Sequence, residues 1–129
     1  MKSAQLAMKT ALATVAVKDL AKARDFYEAT LGLSPVEGDV GGVQGYRAGS
    51  STIIVYESSF AGTNQATSVT WPLGDDLDEV VRDLKAKGVT FEHYDMPGTT
   101  HDGDIHIFDT IRVAWFKDPD GNIINLGNF

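Results

Sequence analysis

There is no cysteine among the 129 residues, which excludes disulfides, thiolate zinc sites and thiol nucleophiles. No stretch is long and apolar enough to cross a bilayer. Basic residues are outnumbered by acidic ones, 11 to 18, and the net charge of −7 argues against nucleic acid and anionic membranes as partners. The same balance favours a neutral or cationic small molecule. Also missing are a Ser-His-Asp order, a Walker loop and a Rossmann fingerprint. The opening "MKSAQLAMKTALATVAV" imitates a secretory signal, with Lys2 and Lys9 as its basic region. It flows directly into a helix start, however, and not into a cleavage site. It therefore reads as a first strand, and the protein as cytoplasmic.

What remains is the composition of one ordinary folded domain over 1–129, large enough for a hydrophobic core. The chain also repeats itself. In "TVAVKDLAKARDFYEATLGL" alternating residues lead to Asp19, a helix cap. Leu20, Ala23, Phe26, Tyr27 and Leu31 then follow at helical spacing, and Gly32 closes the helix. About sixty residues later the pattern returns in "SVTWPLGDDLDEVVRDLKAKGV". There Val69, Trp71 and Leu73 alternate, an Asp cluster caps, Val80, Val81 and Leu84 form the stripe, and Gly88 ends it. Each helix is followed by β-rich sequence, "STIIVYESSFAGTN" in one half and "IRVAWFKDPDGN" in the other. The halves meet in the small, polar run 58–66. The expectation is an α+β fold of two βαβββ modules, 10–58 and 66–126, forming one curved, cup-like mixed sheet with helices on its outer face. A concave sheet offers a pocket.

"WFKDPDGNIINL" joins two strands through Asp118-Pro119-Asp120-Gly121-Asn122. Pro119 presets φ, the Asp and Asn side chains can bond nearby backbone, and Gly121 tolerates positive φ. It lacks the spacing and the closing Glu of a calcium loop, and reads as structural. Asn125 then interrupts Ile123, Ile124 and Leu126, so it faces either water or a bound molecule.

"VAVKDLAKARDFYEATLGL" together with "VAWFKDPDGNIINL" resembles the vicinal oxygen chelate superfamily, which includes glyoxalase I, bleomycin-resistance proteins, fosfomycin-resistance enzymes and extradiol dioxygenases. The resemblance runs from Thr10 to Leu126. It implies paired βαβββ modules, often in a homodimer, and a divalent metal held in the cup by His, Gln or Glu. It does not fix the reaction. The first ligand of metal-bearing relatives stands seven residues before the capping Asp, which here is Leu12. The matching seat in the second module falls on Val69 or, by alternation, Ser68, with Thr70 as the next cup residue. The last, commonly a Glu four residues past the turn glycine, is Asn125, and Glu57 is the nearest candidate for the remaining one. One carboxylate with a neutral amide is a poor donor set for a divalent cation, so no metal cofactor is expected.

Two further groups stand out. "FEHYDMPGTTHDGDIH" holds His93, His101 and His106 among several Asp, a possible metal or acid–base cluster or lid. Its Pro and Gly residues read as a flexible loop with solvated His–Asp pairs. In "IRVAWF" alternation separates Ile111, Val113 and Trp115 from Arg112, Ala114 and Phe116. If the first set covers the helices, Arg112 and Phe116 line the cup beside Asn125, where they suit an anionic or carbonyl group; otherwise Arg112 faces solvent at the rim. The expected ligand-binding set is thus Ser68, Thr70, Arg112, Phe116, Asn125 and His106, with Glu57 as candidate catalytic base. A homodimeric small-molecule binding protein is the favoured reading. The alternatives are a metal-dependent lyase, isomerase or dioxygenase, a metal-free enzyme using Glu57 or a loop histidine, and an interaction module with a vestigial cup.

Overall fold

The computed structural model describes residues 6–8, 10–37 and 41–129. In the first module β1 (Ala13–Val17) runs parallel to β4 (Ser51–Glu57), followed by antiparallel β3 (Val43–Ala48) and β2 (Ser34–Pro35). The second repeats this order. There β5 (Thr67–Pro72) is parallel to β10 (Ile123–Gly127), which pairs antiparallel with β9 (Ile111–Lys117), and β6 (Phe91–Glu92) occupies the place of β2. A hairpin of β7 (Thr100–Asp102) and β8 (Ile105–Phe108) is added beside β6 on the same edge of β9. The stretch expected to be a flexible loop therefore holds β6, β7 and the start of β8. Ile105 and Ile107 pack toward the helix side while His106 alternates with them, a period-2 signal hidden among Gly and Asp.

The two modules form two hydrogen-bonded sheets whose helices pack on one side, over adjoining cores. In the first helix, α1 (Leu20–Arg24), Asp19 caps by accepting the amide hydrogens of Ala21 and Lys22. The helix then widens into a π segment, Asp25–Thr30. Helix α2 (Leu77–Ala86) departs from expectation at its start: Asp76 makes no side-chain cap, and a 3-10 turn, Gly74–Asp76, leads in. Its end follows the sequence, because Gly88 N–H bonds Lys85 and Val89 N–H bonds Leu84, both at 3.0 Å. Leu77, Val81 and Leu84 bury against Ala114, Phe116, Ile124 and Leu126, while Tyr27 and Tyr46 anchor the first core with Val15 and Val55. Phe26, Leu31 and Trp71 touch both cores and join them. No helix among the described residues is long and apolar enough to cross a membrane.

The Asp-Pro-Asp-Gly-Asn turn is the pin between the modules. Asp118 is only 4% exposed, so its carboxylate needs donors. One oxygen accepts the amide hydrogens of Asp120 and Asn122, both at 2.9 Å; the other accepts the Tyr27 hydroxyl and the Asn122 amide, both at 2.8 Å. Asn122 also donates to the carbonyl of Ala16 in β1, at 2.7 Å. Burial first, and then the Asp118 carboxylate, push the Tyr27 hydroxyl far above its usual range, so it stays a donor. The linker completes the pin. A Cβ on Gly62, whose φ is +77°, would lie 1.9 Å from the carbonyl oxygen of Asp120.

Candidate functional site

Register decides which side chains meet on the concave face of the second module. Ile124 and Leu126 pack under α2, so Ile123 and Asn125 turn the other way. Across the hairpin Ile123 pairs with Lys117 and Asn125 with Trp115, and residues paired across strands share a face. Trp115 and Lys117 therefore face the concavity, whereas Phe116 is completely buried against Phe91 and α2. Arg112 takes the same side as Phe116 and binds Asp78 of α2 at 2.9 Å. This corrects the sequence reading of β9: Arg112 and Phe116 do not line the cup. Both faces of "IRVAWF" are apolar enough to be covered, so alternation alone cannot say which face meets the helix.

The other expected residues divide. Thr70 pairs with Asn125 across the parallel β5–β10 ladder and shares its face. Ser68 falls at the irregularity where β5 slips against β10, between the partners of Ile123 and Ile124. Asn125 is 8% exposed and donates its amide to the carbonyl of Ala114 at 3.3 Å. Glu57 lies on the helix side: its carboxylate accepts the Leu20 amide hydrogen at 3.0 Å, in the first turn of α1, where a negative charge also suits the helix dipole. It is a cap, not a base in the cup. Leu12 has no donor atom, Val69 belongs to the first core, and Asn125 is neutral, so the residues at the four seats do not fit a divalent metal. Among the described residues no three His, Asp or Glu are placed to share a metal ion.

The three histidines come together: His93 and His101 stay exposed, as expected of solvated side chains, and His106 alone departs from that expectation. His93 stacks on His101 with ring centres 5.6 Å apart, and His101 meets His106 edge to face at 4.4 Å. The His93 Nε2 lies 2.7 Å from Asp104, whose other oxygen takes the Lys85 ammonium at 2.7 Å. Lys85 and His93 together hold the Asp104 carboxyl below its usual value. His106 is fully buried. Its Nε2 accepts the Tyr94 amide hydrogen at 2.9 Å, which requires a lone pair there and leaves the proton of the neutral ring on Nδ1, a buried atom with no well-formed hydrogen bond among the described residues, the backbone of Val113 and Asp104 lying nearby. Burial, then the neighbouring His101 and His93, lower its pKa from 6.5. His106 thus flanks the site on the same face: its ring abuts Trp115 at 4.9 Å and its Nε2 holds the backbone of Tyr94.

The site is a cavity of about 660 Å³. It is lined by Trp115 and Ile123 of the hairpin, by Tyr94, by Asn64 and Gln65 of the linker and by Thr67 at the start of β5. Trp115 and Tyr94 meet edge to face, ring centres 5.3 Å apart, and form an aromatic corner. Lys117 stands at the rim. The size lies within the ordinary range for small-molecule sites. Sequence reasoning missed Trp115, Tyr94 and Lys117; for Trp115 and Lys117 the register of the hairpin carries the signal, because a cup-facing Asn125 obliges Trp115 to face the cup as well, whereas Tyr94 lies outside the hairpin. A separate hollow of about 280 Å³, in the seam where β1 and β4 approach β5, takes Ser68 and Thr70.

Comparison with known proteins agrees with this architecture. FosX from Listeria monocytogenes, a genomically encoded fosfomycin resistance protein, is 18% identical with a TM-score of 0.65, over 92% of this chain and 91% of that one. The fosfomycin resistance protein FosX from Mesorhizobium loti is 13% identical with a TM-score of 0.66, over 94% and 92%. A glyoxalase/bleomycin resistance protein from Streptomyces sp. CB03234 is 27% identical with a TM-score of 0.53, over 88% and 94%. No curated protein matches the chain at a significant level. The family profile described as Glyoxalase/Bleomycin resistance protein/Dioxygenase superfamily matches residues 9–126, nearly the whole chain, and the chain belongs to that superfamily.

Proposed function

We propose that this protein binds a small molecule in the concave face of its second module, and does so without a divalent metal at the position that metal-bearing relatives use. The observation that carries the reading is the cavity of about 660 Å³ with an aromatic corner and a rim of amide and hydroxyl groups. Metal-free binding is supported by the seats themselves: Leu12 and Asn125 bring no charge, and Glu57 is engaged at the start of α1. Asn125 and Thr70 extend the polar surface beside Trp115 along the same face.

Thermal-shift screening of a small-molecule library tests this directly, since a ligand that binds only the folded state raises the melting temperature. Hits whose stabilisation falls in Gln65→Trp, which fills the cavity from an exposed lining position, with the unliganded melting temperature kept, are the expected result. Elemental analysis of protein purified without chelator tests the metal: one Ni, Zn, Fe or Mn per chain overturns the metal-free reading. Turnover of a hit would convert the binder into an enzyme. We infer also that the protein works as a homodimer, supported by the exposed Leu12, Phe60 and Phe129. A monomer mass by light scattering at working concentration refutes it.

A further inference from the structure

We propose that the ligand of this cavity is a planar ring system carrying an anionic group, the ring held in the Trp115–Tyr94 corner and the anion by Lys117. The inference rests on the reading of this cavity as the binding site and names the class of ligand it takes. Three observations point to it. The first is the aromatic corner. Two rings at 70° to one another and 5.3 Å apart present one face and one edge, which complements a flat aromatic ligand better than a rounded aliphatic one. The corner is also held in place, because the His106 ring packs against Trp115, lies 6.0 Å from the Tyr94 ring centre to centre, and accepts the Tyr94 backbone amide hydrogen. Flat, pre-positioned rings lose little freedom when a ligand arrives.

The second observation is the sign of the charge. The chain carries −7 overall, yet the one charged side chain lining this cavity, among the described residues, is a lysine. The field of the whole protein would repel an anion at long range, so the local ammonium is a specific contact and not part of a general trend. Third, Lys117 is available. Its carboxylate partner, Glu92, is 3.8 Å away, at the outer limit of an ion pair, and the lysine side chain is 47% exposed. A ligand anion can approach the ammonium more closely than Glu92 does. The neighbouring donors, the amides of Asn64 and Gln65 and the hydroxyl of Thr67, suit the same anion or the polar substituents of the ring.

An isosteric probe series separates the terms. Binding of 2-naphthoate, 2-naphthalenemethanol, 2-naphthylmethylammonium and cyclohexanecarboxylate is measured by isothermal titration with the full chain. 2-Naphthoate should bind tightest, with the alcohol weaker by about tenfold, as for one half-exposed charge-assisted contact. Lys117→Met should remove that advantage and leave the alcohol unchanged, which a misfolded variant would not do. Glu92→Gln should strengthen 2-naphthoate binding by releasing the lysine. Equal or tighter binding of the ammonium or of cyclohexanecarboxylate overturns the proposed class while leaving the cavity as the binding site. Failure of every probe overturns both.

Discussion

The bond from Tyr27 to Asp118 crosses from one module to the other, and its loss can be sized from the structure. Tyr27→Phe keeps the ring that packs against Phe26 and Tyr46 and deletes only the hydroxyl. Asp118 remains buried with three other donors, the amide hydrogens of Asp120 and Asn122 and the Asn122 side chain. The carboxylate is thus under-satisfied, not abandoned, and the loss should be that of one hydrogen bond to a charged acceptor, roughly 1.5–3 kcal/mol. Asp118→Asn is the harsher change, since one carboxylate oxygen becomes an amide that faces donors. The Tyr27 hydroxyl can rotate to accept from it, but the Asn122 amide cannot, so a buried donor pair is left in opposition. Its effect should exceed that of Tyr27→Phe by a further ~1–3 kcal/mol. Urea unfolding gives the values, with the slope unchanged if only stability moves. The two changes should be strongly non-additive, because they share one hydrogen bond. A Tyr27→Phe protein within about 0.5 kcal/mol of the parent, or an additive double mutant, would show that the pin contributes nothing and refute the reasoning.

Other expectations follow from single contacts. His106 is held neutral by burial, its folded pKa below the 6.5 of a free imidazole, so the unfolded chain gains its proton first as pH falls. The contribution is complete above 6.5 and is lost as pH falls from there through the lowered folded value; His106→Gln should flatten that part of the stability profile, and an unchanged profile would disprove it. Gly62→Ala must place a Cβ against the carbonyl of Asp120 at a φ of +77°, and thermal melts should report a loss above the roughly 1–2 kcal/mol of left-handed backbone alone. Arg112→Ala removes a partly exposed pair with Asp78 on the helix side; it should cost at most about 1 kcal/mol and leave ligand affinity unaltered, whereas weakened binding would return Arg112 to the cup.

Much of the architecture could be read from the chain because local and global signals agree in it. Asp19, Gly32 and Gly88 bracket helices whose apolar stripes have the right period, and the repeat of that pattern fixes two modules. The site was harder for a physical reason. A strand that is apolar on both sides carries no mark of which face meets the helix, and in β9 the choice was settled by Ala114 and Phe116 fitting beneath α2. The histidine stretch differs: its Gly-rich, Asp-rich composition hides the short alternation around His106, and the pairing of β8 with both β7 and β9 buries that ring. Asn125 shows what would have sufficed. The sequence places it in the cup, and the turn that follows β9 makes it the partner of Trp115. An antiparallel pair shares a face, so the same assignment excludes Phe116 from the cup and admits Trp115 and Lys117. Hairpin register, applied before side chains are assigned to a face, lets one polar residue in an apolar strand place an aromatic ring and a charge in the cup.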